Sequence, residues 1–318
     1  MPQKICIISF DHWNYDYHIV NCLNNLGHEA HHIKIGDYQH QSLKDKITNV
    51  LSKTFAKKNL KKIRRQEYII QRLKELGQQD QILVINPEII ELKYHLKIKE
   101  FTKNYMAYLY DSMSRYSVDH LLNGVFDKIY SFDLEDIAKY GFLPTSNYNY
   151  IDNTIETKEV YDIGFVGSYD DRFDELISLL KQLKPYNIKH RCIVVGKERK
   201  LSKLIESYGD LIDFQFQPLS QSEMLAFYEQ CHCIIDLIRK NQTGLSFRFF
   251  EAMGLRKKII TNNQSVKAYN FYKPENIFVL EDSKVPSKAF ISTNYESLPE
   301  EIYQEYTLKS WVTNIFSL

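Results

Sequence analysis

An arginine and a carboxylate follow a glycine turn in the segment QTGLSFRFFEAMGLRKKIITNN, residues 242–263. Thr243 is a residue type that caps helices, and the helix would turn its first backbone amides toward an anion. The first residues of that helix would be Gly244, Leu245 and Ser246. Arg248 and Glu251 follow within two turns, near one helix face. Such a pair could hold a diphosphate and ribose hydroxyls; the alternative is a capped helix with an Arg–Glu pair.

Two further glycine turns in the same half of the chain end apolar runs. The first lies in GFVGSYDDRF, residues 164–173, and the second is VVGK, residues 194–197. The candidate anion-binding residues at these turns are Gly167, Ser168 and Arg172, then Gly196 and Lys197. No turn has the GxGxxG spacing, so a dinucleotide fingerprint is absent. Three glycine turns in one half, two of them with an arginine, predict a phosphorylated ligand.

Candidate general bases follow strands in the first half. Asp11 and His12 come directly after the apolar run KICIISF, and Asp111 ends YMAYLYD. Aspartate and histidine are residue types that accept a proton from a hydroxyl during group transfer. The alternative for each is a structural role at a turn or strand end.

No metal centre is expected from the remaining histidines and cysteines. His31 and His32 are neighbours in a strand-like run, so their side chains point to opposite faces. Cys231 and Cys233 lack two further ligands at zinc spacing and are interpreted as buried strand residues. The chain has no HExxH and no clear DxD after a strand.

Short apolar runs alternate with helical patterns along all 318 residues. This alternation predicts an α/β fold with two doubly wound parallel sheets, because KICIISF and YDIGFVG each open a βα series. We expect two Rossmann-like lobes. The first spans 1–155 and the second 156–318, with the polar stretch 144–159 between them.

The overall charge gives no electrostatic reason to expect a nucleic-acid partner, since 41 Lys and Arg stand against 40 Asp and Glu. Five cysteines, no secretory signal pattern and no long apolar span favour a cytoplasmic protein. Residues 53–65 carry positive charges and no acids, at Lys53, Lys57, Lys58, Lys61, Lys62, Arg64 and Arg65. This stretch is either a solvated helix face or a surface that docks on anionic lipid or a phosphorylated acceptor.

Several segments resemble the GT-B glycosyltransferases, especially bacterial enzymes that build capsule, lipopolysaccharide or other surface glycans. In the second half these are YDIGFVGSYDDR, QPLSQSEMLAFYEQCHCIIDL and GLSFRFFEAMGLRKKIITNN; in the first half they are YLYDS and YSFDLEDIAKYGF. The resemblance implies a nucleotide-sugar donor held by the second lobe, a glycan or lipid-linked glycan acceptor over the first, and no bound metal or other cofactor. It also implies that the two lobes face a cleft and that the last helix packs back on the first lobe.

The resemblance also implies roles for single residues. Glu251 matches the carboxylate that contacts the donor ribose, Gly167 and Ser168 match a turn near the donor phosphates, and Arg248 is a phosphate partner. Retaining members often carry a second Glu eight positions before the first, where this chain has Thr243. Retention or inversion therefore stays open.

The resulting expectation is a metal-independent transferase that moves a sugar to a surface glycan, peripheral on the inner face of the plasma membrane. Two alternatives remain at this point. One is a nucleotide-sugar epimerase of the same fold, which would need an acid and a base but no acceptor. The other is a non-catalytic module that keeps the fold for binding.

Overall fold

A computed structural model describes residues 1–11, 13–37, 60–151, 157–239, 242–281 and 284–318. The described chain divides into two compact units. Unit 1 is Met1–Thr145 together with Val312–Leu318, and unit 2 is Ser146–Trp311. Each unit contains one six-stranded sheet, and all the strand pairs in both sheets are parallel.

The sheet of unit 1 has the order β2-β1-β3-β4-β5-β6. Its strands are β1 Lys4–Ser9, β2 Glu29–Lys34, β3 Gln81–Ile85, β4 Tyr105–Leu109, β5 Lys128–Ser131 and β6 Leu143–Pro144. The helices between them are α1 Tyr15–Asn25, α2 Leu60–Leu76, α3 Leu92–Lys99 and α4 Leu134–Tyr140. Strands β3 and β4 are buried at every position, because helices cover both faces of a parallel sheet.

The sheet of unit 2 has the order β12-β11-β10-β7-β8-β9. Its strands are β7 Tyr161–Ser168, β8 His190–Val195, β9 Asp213–Gln215, β10 Cys231–Asp236, β11 Lys258–Thr261 and β12 Ile277–Val279. The helices are α5 Phe173–Leu183, α6 Glu198–Tyr208, α7 Gln221–Glu229, α8 Phe247–Gly254, α9 Lys288–Ser292, α10 Glu300–Glu305 and α11 Leu308–Phe316. The prediction of two doubly wound parallel α/β lobes is confirmed.

The chain passes from unit 1 to unit 2 after Thr145, earlier than the expected boundary at 155/156. Residues between 146 and the expected boundary already contact unit 2. Asn147 Nδ2 donates to the Leu245 carbonyl at 2.9 Å, and Asn149 N donates to the Tyr306 carbonyl at 2.7 Å. The first residues of the polar stretch after Thr145 therefore belong to unit 2.

The last helix, α11, returns the chain to unit 1 at Val312. Gln81 Nε2 donates to the Phe316 carbonyl at 2.8 Å, and Tyr130 Oη donates to the Ile315 carbonyl at 3.2 Å. Ile315 and Phe316 are buried. Across the described ranges, none of the helices is both long and apolar enough to cross a bilayer.

Candidate functional site

The strand order of unit 2 reverses direction between β7 and β10, where one series of strands runs outward to β9 and the other to β12. In open parallel sheets, ligands bind at such a point, outside the carboxyl ends of the strands. β7 ends at Ser168 and β10 ends at Asp236. The predicted turn at Gly167 and Ser168 therefore lies at the switch point of this sheet.

Arg248, on the first turn of α8, connects the two strand ends. Its Nη1 donates to Asp236 Oδ1 at 2.7 Å, and its Nη2 donates to the Val166 carbonyl at 2.7 Å. Its Nε donates to Tyr228 Oη at 2.8 Å. The Asp236 side chain is 1% exposed and that of Arg248 is 15% exposed. The arginine thus forms a largely buried ion pair at the switch point.

The charge of Arg248 is secured by its surroundings. Burial by itself would lower the pKa of the guanidinium, but the Tyr228 hydroxyl and the Asp236 carboxylate outweigh burial and raise the pKa above its ordinary value. The guanidinium also lies 5.7 Å from the centre of the Phe165 ring. A Cβ at position 167 would lie 2.5 Å from that ring, so the ring fits here because the residue is glycine.

Helix α8 begins later than the sequence predicts. Its N-cap is Ser246 and its first residue is Phe247, so the expected cap at Thr243, with a helix starting at Gly244, is wrong. The Ser246 hydroxyl donates to Asp236 Oδ1 at 2.7 Å and does not cap the helix. The predicted amide cluster at 244–246 therefore belongs to the loop before the helix.

Tertiary contacts explain this late start. Side chains from other parts of unit 2 donate to the carbonyls that a helix would need: Ser265 Oγ to Thr243, Asn263 Nδ2 to Gly244 at 3.3 Å, and Asn147 Nδ2 to Leu245 at 2.9 Å. A carbonyl satisfied in this way offers less to a helical N–H four residues on. The loop 243–246 is consequently held in place against two other segments of unit 2.

Glu251 lies one turn after Arg248 and is 1% exposed. Its Oε1 accepts a hydrogen bond from Tyr150 Oη at 2.6 Å. The carboxylate is therefore packed inside unit 2. The ribose contact implied by the resemblance stays a prediction.

A second arginine cluster follows the same two strand ends. Arg172 donates to both carboxylate oxygens of Asp170, from Nε at 2.8 Å and from Nη2 at 2.6 Å, and its Nη1 donates to the Leu237 carbonyl at 2.9 Å. Arg239 Nη2 lies 3.1 Å from the same aspartate. Burial would raise the pKa of Asp170, but the two arginines hold it below its ordinary value. Two guanidinium groups thus share one carboxylate here.

Gly196 and Lys197 follow β8, which neighbours β7 on the side away from β10. A Cβ on Gly196 would lie 3.2 Å from the Leu201 side chain, so this glycine serves close packing of α6 on the strand end. Lys197 is exposed and is the N-cap residue of α6. Their role in donor binding stays a prediction.

In unit 1, polar side chains collect around the end of β1, the first turn of α1 and the second half of β2. Asp11 has a left-handed backbone, with φ 46°, and its Oδ1 accepts a hydrogen bond from Asp16 N at 3.1 Å. Tyr110 Oη donates to Asp16 Oδ1. Ser9 Oγ lies 2.8 Å from Nε2 of His32. Asp11, Asp16 and His32 each place a ligand-type atom within 4.8 Å of the other two.

This group holds more negative charge than its neighbours balance. Asp11 Oδ2 and Asp16 Oδ2 are buried, and none of the described residues forms a hydrogen bond with either atom. Lys34 Nζ lies 3.9 Å from Asp11 Oδ2. Burial, and next the charge of Asp11, raise the pKa of Asp16 to about 7. Among the residues that the structure describes, two carboxyls here have one lysine nearby.

The three candidate bases have different positions. The side chain of Asp11 is 1% exposed. That of Asp111 is 22% exposed and pairs with Arg115 at 2.5 Å. His12 lies outside the described residues, as do Lys53, Lys57 and Lys58 of the basic stretch. Which of these residues acts as a base stays a prediction.

Several residues of both clusters were not predicted as site residues. In unit 2 these are Tyr150, Tyr228, Asp236 and Arg239. In unit 1 these are Asp16, His32 and Tyr110. The signal for both residues was present, since Asp236 is the charged residue within the apolar run HCIIDLI and Arg239 directly follows that run. Cys231 and Cys233 are buried free thiols, as the sequence predicted.

Comparison with solved structures finds similar folds over the whole chain. HepE of Anabaena, in complex with UDP and glucose, matches with a TM-score of 0.61 and 12% identity over 99% of this chain and 98% of that one. A UDP-forming α,α-trehalose-phosphate synthase from Burkholderia xenovorans matches with a TM-score of 0.59 and 11% identity, over 99% of this chain and 98% of that one. A glycosyltransferase from Rickettsia africae ESF-5 matches with a TM-score of 0.58 and 11% identity, over 100% of this chain and 98% of that one.

No protein-family model matches the chain, and no curated protein matches it. The structural likeness is therefore a likeness of fold. The chain has the GT-B fold.

Proposed function

We propose that this chain is a glycosyltransferase that takes a sugar from a nucleotide-sugar donor bound by unit 2. The observation that carries the proposal is the set of three arginines at the switch point of the unit 2 sheet, Arg172, Arg239 and Arg248. The likeness to HepE, which was solved with UDP and glucose, supports it. Fixed guanidinium groups are the kind of group that stabilises a leaving diphosphate.

The arginines also support donor chemistry without a metal at the diphosphate. Arg239 is 35% exposed and pairs with an aspartate that Arg172 already neutralises, so its positive charge is in excess. We propose that this excess charge faces the donor diphosphate. The KM for the donor should then be the same in EDTA and in millimolar Mg²⁺.

Thermal shift and transfer assays test the donor proposal. UDP, GDP, ADP and dTDP are compared first, and a diphosphate at 100 times its Kd should stabilise the protein by about 2.7 kcal/mol. Arg239→Gln should raise the Kd of the diphosphate that binds best by about tenfold or more, as expected for a lost charge-assisted hydrogen bond. Arg191→Gln is the matched control, because Arg191 forms the same kind of pair with Asp213 near the start of β8.

Transfer itself is measured as release of the nucleoside diphosphate. Release that requires an acceptor glycan supports a transferase, whereas conversion of the donor sugar without release or acceptor would indicate an epimerase. Binding of nucleotide with neither reaction, across a broad acceptor panel, would indicate a binding module.

The acceptor base is proposed among His12, Asp11 and Asp111, which follow β1 and β4 of unit 1. Exposure favours Asp111 over Asp11 as a group that a substrate can reach. Substituting the base should lower kcat by about 10²–10⁴-fold with little change in nucleotide binding. Asp119→Asn, at an exposed position after β4, is the control.

We also propose that the acceptor is a surface glycan or its lipid-linked precursor, reached at the cytoplasmic face of an anionic membrane through residues 53–65. The described part of this stretch lies on α2, which packs against α3. α3 exposes Leu92 and Leu96 beside Lys93, a combination suited to a membrane interface. Charge reversal of Lys57, Lys58, Lys61 and Lys62 should abolish sedimentation with anionic vesicles, and equal binding to zwitterionic vesicles would contradict the proposal.

A further inference from the structure

Three elements of unit 1 bring two carboxylates and an imidazole together. Asp11 follows β1, Asp16 lies in the first turn of α1, and His32 lies on β2, which pairs with β1. One ligand-type atom from each lies within 4.8 Å of the other two. Among the residues that the structure describes, this is the one group of three or more His, Cys, Asp and Glu side chains with that spacing.

A second observation concerns the hydrogen bonds of the two aspartates. Asp16 is fully buried and the Asp11 side chain is 1% exposed, yet Oδ2 of each carboxylate has no hydrogen-bond partner among the described residues. Buried carboxylate oxygens are ordinarily satisfied by donors or by a metal ion. The remaining oxygens are already held, Asp11 Oδ1 by Asp16 N and Asp16 Oδ1 by Tyr110. These bonds orient both carboxylates, and within the part of the chain that the structure describes Oδ2 of each remains for a further partner.

We propose that Asp11, Asp16 and His32 bind one divalent transition-metal cation, of the Mn²⁺ or Zn²⁺ class. Two carboxylate oxygens and an imidazole nitrogen form a donor set that suits these ions better than Mg²⁺ or Ca²⁺, which prefer oxygen ligands alone. The cation supplies the positive charge that two buried carboxylates require. Ser9 Oγ, 2.8 Å from Nε2 of His32, fixes the orientation of the ring.

Lys34 is the group that competes with this cation. Its Nζ lies 3.9 Å from Asp11 Oδ2, too far for a hydrogen bond, and its side chain is 32% exposed. A long flexible side chain at the surface can move its ammonium group into solvent when a cation binds. Lys34 therefore acts as a weak counter-ion of the metal-free protein, and its removal should favour the metal.

The site is separate from the proposed donor chemistry. It lies in unit 1, whereas the three arginines lie in unit 2. Asp11 is also one of the three candidate bases, and as a metal ligand it would leave that role to His12 or Asp111. Metal binding is measured without donor or acceptor, so failure of this proposal and failure of the transferase proposal are distinguishable.

The first experiment titrates the full chain, treated with EDTA and desalted, with Mn²⁺, Zn²⁺, Mg²⁺ and Ca²⁺ in a calorimeter. We expect one equivalent of Mn²⁺ or Zn²⁺ to bind, more tightly than Mg²⁺ or Ca²⁺. Pulsed EPR of the bound Mn²⁺ should show coupling to one imidazole nitrogen. Absence of one-equivalent binding by any of the four cations, or bound Mn²⁺ without that nitrogen coupling, would overturn the proposal.

Matched variants locate the site. Asp16→Asn and His32→Gln should each weaken Mn²⁺ binding by at least about tenfold, since even indirect partners of a metal contribute that much. Glu29→Gln and His31→Gln are the controls, because Glu29 and His31 lie on the same strand and pair with each other at the surface. Unchanged Mn²⁺ affinity in folded Asp16→Asn or His32→Gln protein would place the ion elsewhere and refute the assignment.

Lys34→Gln should change the Mn²⁺ affinity in the opposite direction to Asp16→Asn and His32→Gln. Loss of the competing ammonium group should tighten Mn²⁺ binding several-fold, while the thermal stability of the metal-free protein falls. A purely structural cluster predicts the fall in stability alone. Mn²⁺ affinity equal to or below that of the unaltered protein would therefore count against the proposal.

Discussion

Both units gather charged side chains at the carboxyl ends of a parallel sheet, but the two clusters balance their charge differently. In unit 2, Asp236 is paired with Arg248, and Asp170 is shared by Arg172 and Arg239. In the described part of unit 1, Asp11 and Asp16 have one lysine nearby, Lys34, whose Nζ lies 3.9 Å from Asp11 Oδ2. Unit 2 has positive charge to offer to an anionic ligand, whereas unit 1 has negative charge to offer to a cation.

The largest expected effect comes from breaking the balance in unit 2. Arg248→Met leaves Asp236 buried without its ion-pair partner, which should lower the free energy of unfolding by about 3–5 kcal/mol. Urea denaturation followed by circular dichroism measures this. Arg191→Met is the control, because its pair with Asp213 is 40% and 37% exposed and should contribute less than about 1 kcal/mol. Equal losses in both variants would mean that burial of the Arg248 pair is unimportant.

Adding a charge to the interior of unit 1 should have the next largest effect. His95 is fully buried; its Nε2 donates to the Pro87 carbonyl, and its Nδ1 accepts from Tyr105. Burial lowers the pKa of His95 from 6.5 to about 4. Between these values the unfolded chain takes up a proton that the folded chain excludes, so stability falls as the pH drops.

The loss between pH 6.5 and pH 4 should reach on the order of 3 kcal/mol. Urea denaturation at several pH values in this window gives the slope. A folded His95→Gln variant should show a correspondingly weaker dependence on pH. A slope that is the same in both proteins would assign the effect to other groups.

A third substitution sharpens the description of the unit 2 cluster. Gly167→Ala places a Cβ 2.5 Å from the buried Phe165 ring, which lies beneath Arg248, so the ring and the guanidinium must shift. We expect a loss of about 1–3 kcal/mol in stability, with weaker nucleotide binding. Gly196→Ala, whose nearest neighbour is the flexible Leu201 side chain at 3.2 Å, should be milder on both measurements. A harmless Gly167→Ala would show that the ring has room to move.

The smallest expected effect is an increase in the free energy of unfolding, whereas the substitutions above lower it. Asp16→Asn removes one of two poorly balanced carboxyls in unit 1 and should stabilise the metal-free protein by about 1 kcal/mol at pH 8, because the raised pKa reports that the ionised form is unfavourable there. Chemical denaturation in EDTA measures the change. Glu29→Gln, at an exposed pair, should stay within about 0.5 kcal/mol of the unaltered protein. Destabilisation by Asp16→Asn in a folded protein would contradict the proposed charge imbalance.

The sheets were predictable from sequence because their signal is local. Runs such as QILVI and YMAYL are apolar at every position, and a parallel strand covered on both faces needs that pattern. The switch point of unit 2 was also predictable, since Gly167 and Ser168 end β7 directly. Local composition was sufficient wherever neighbours in sequence decide the structure.

The clusters depend on residues far apart in the chain, and there local reasoning was insufficient. Thr243 has the chemistry of a helix cap, but hydrogen bonds from Asn147, Asn263 and Ser265 hold its segment as a loop. Strand alternation alone argues against His32 as a ligand, because its neighbour His31 faces away from it. Its partners, Asp11 and Asp16, come from the preceding strand end and helix, and only the pairing of β1 with β2 brings them together.

The return of α11 to unit 1 has a consequence for the order in which the protein folds during synthesis. Residues 146–311 form one continuous stretch, so unit 2 can assemble as soon as they leave the ribosome. Unit 1 must wait for Val312, Ile315 and Phe316, although most of its chain is made first. A released chain that ends at residue 311 should therefore carry a protease-sensitive unit 1 segment beside a protease-resistant unit 2.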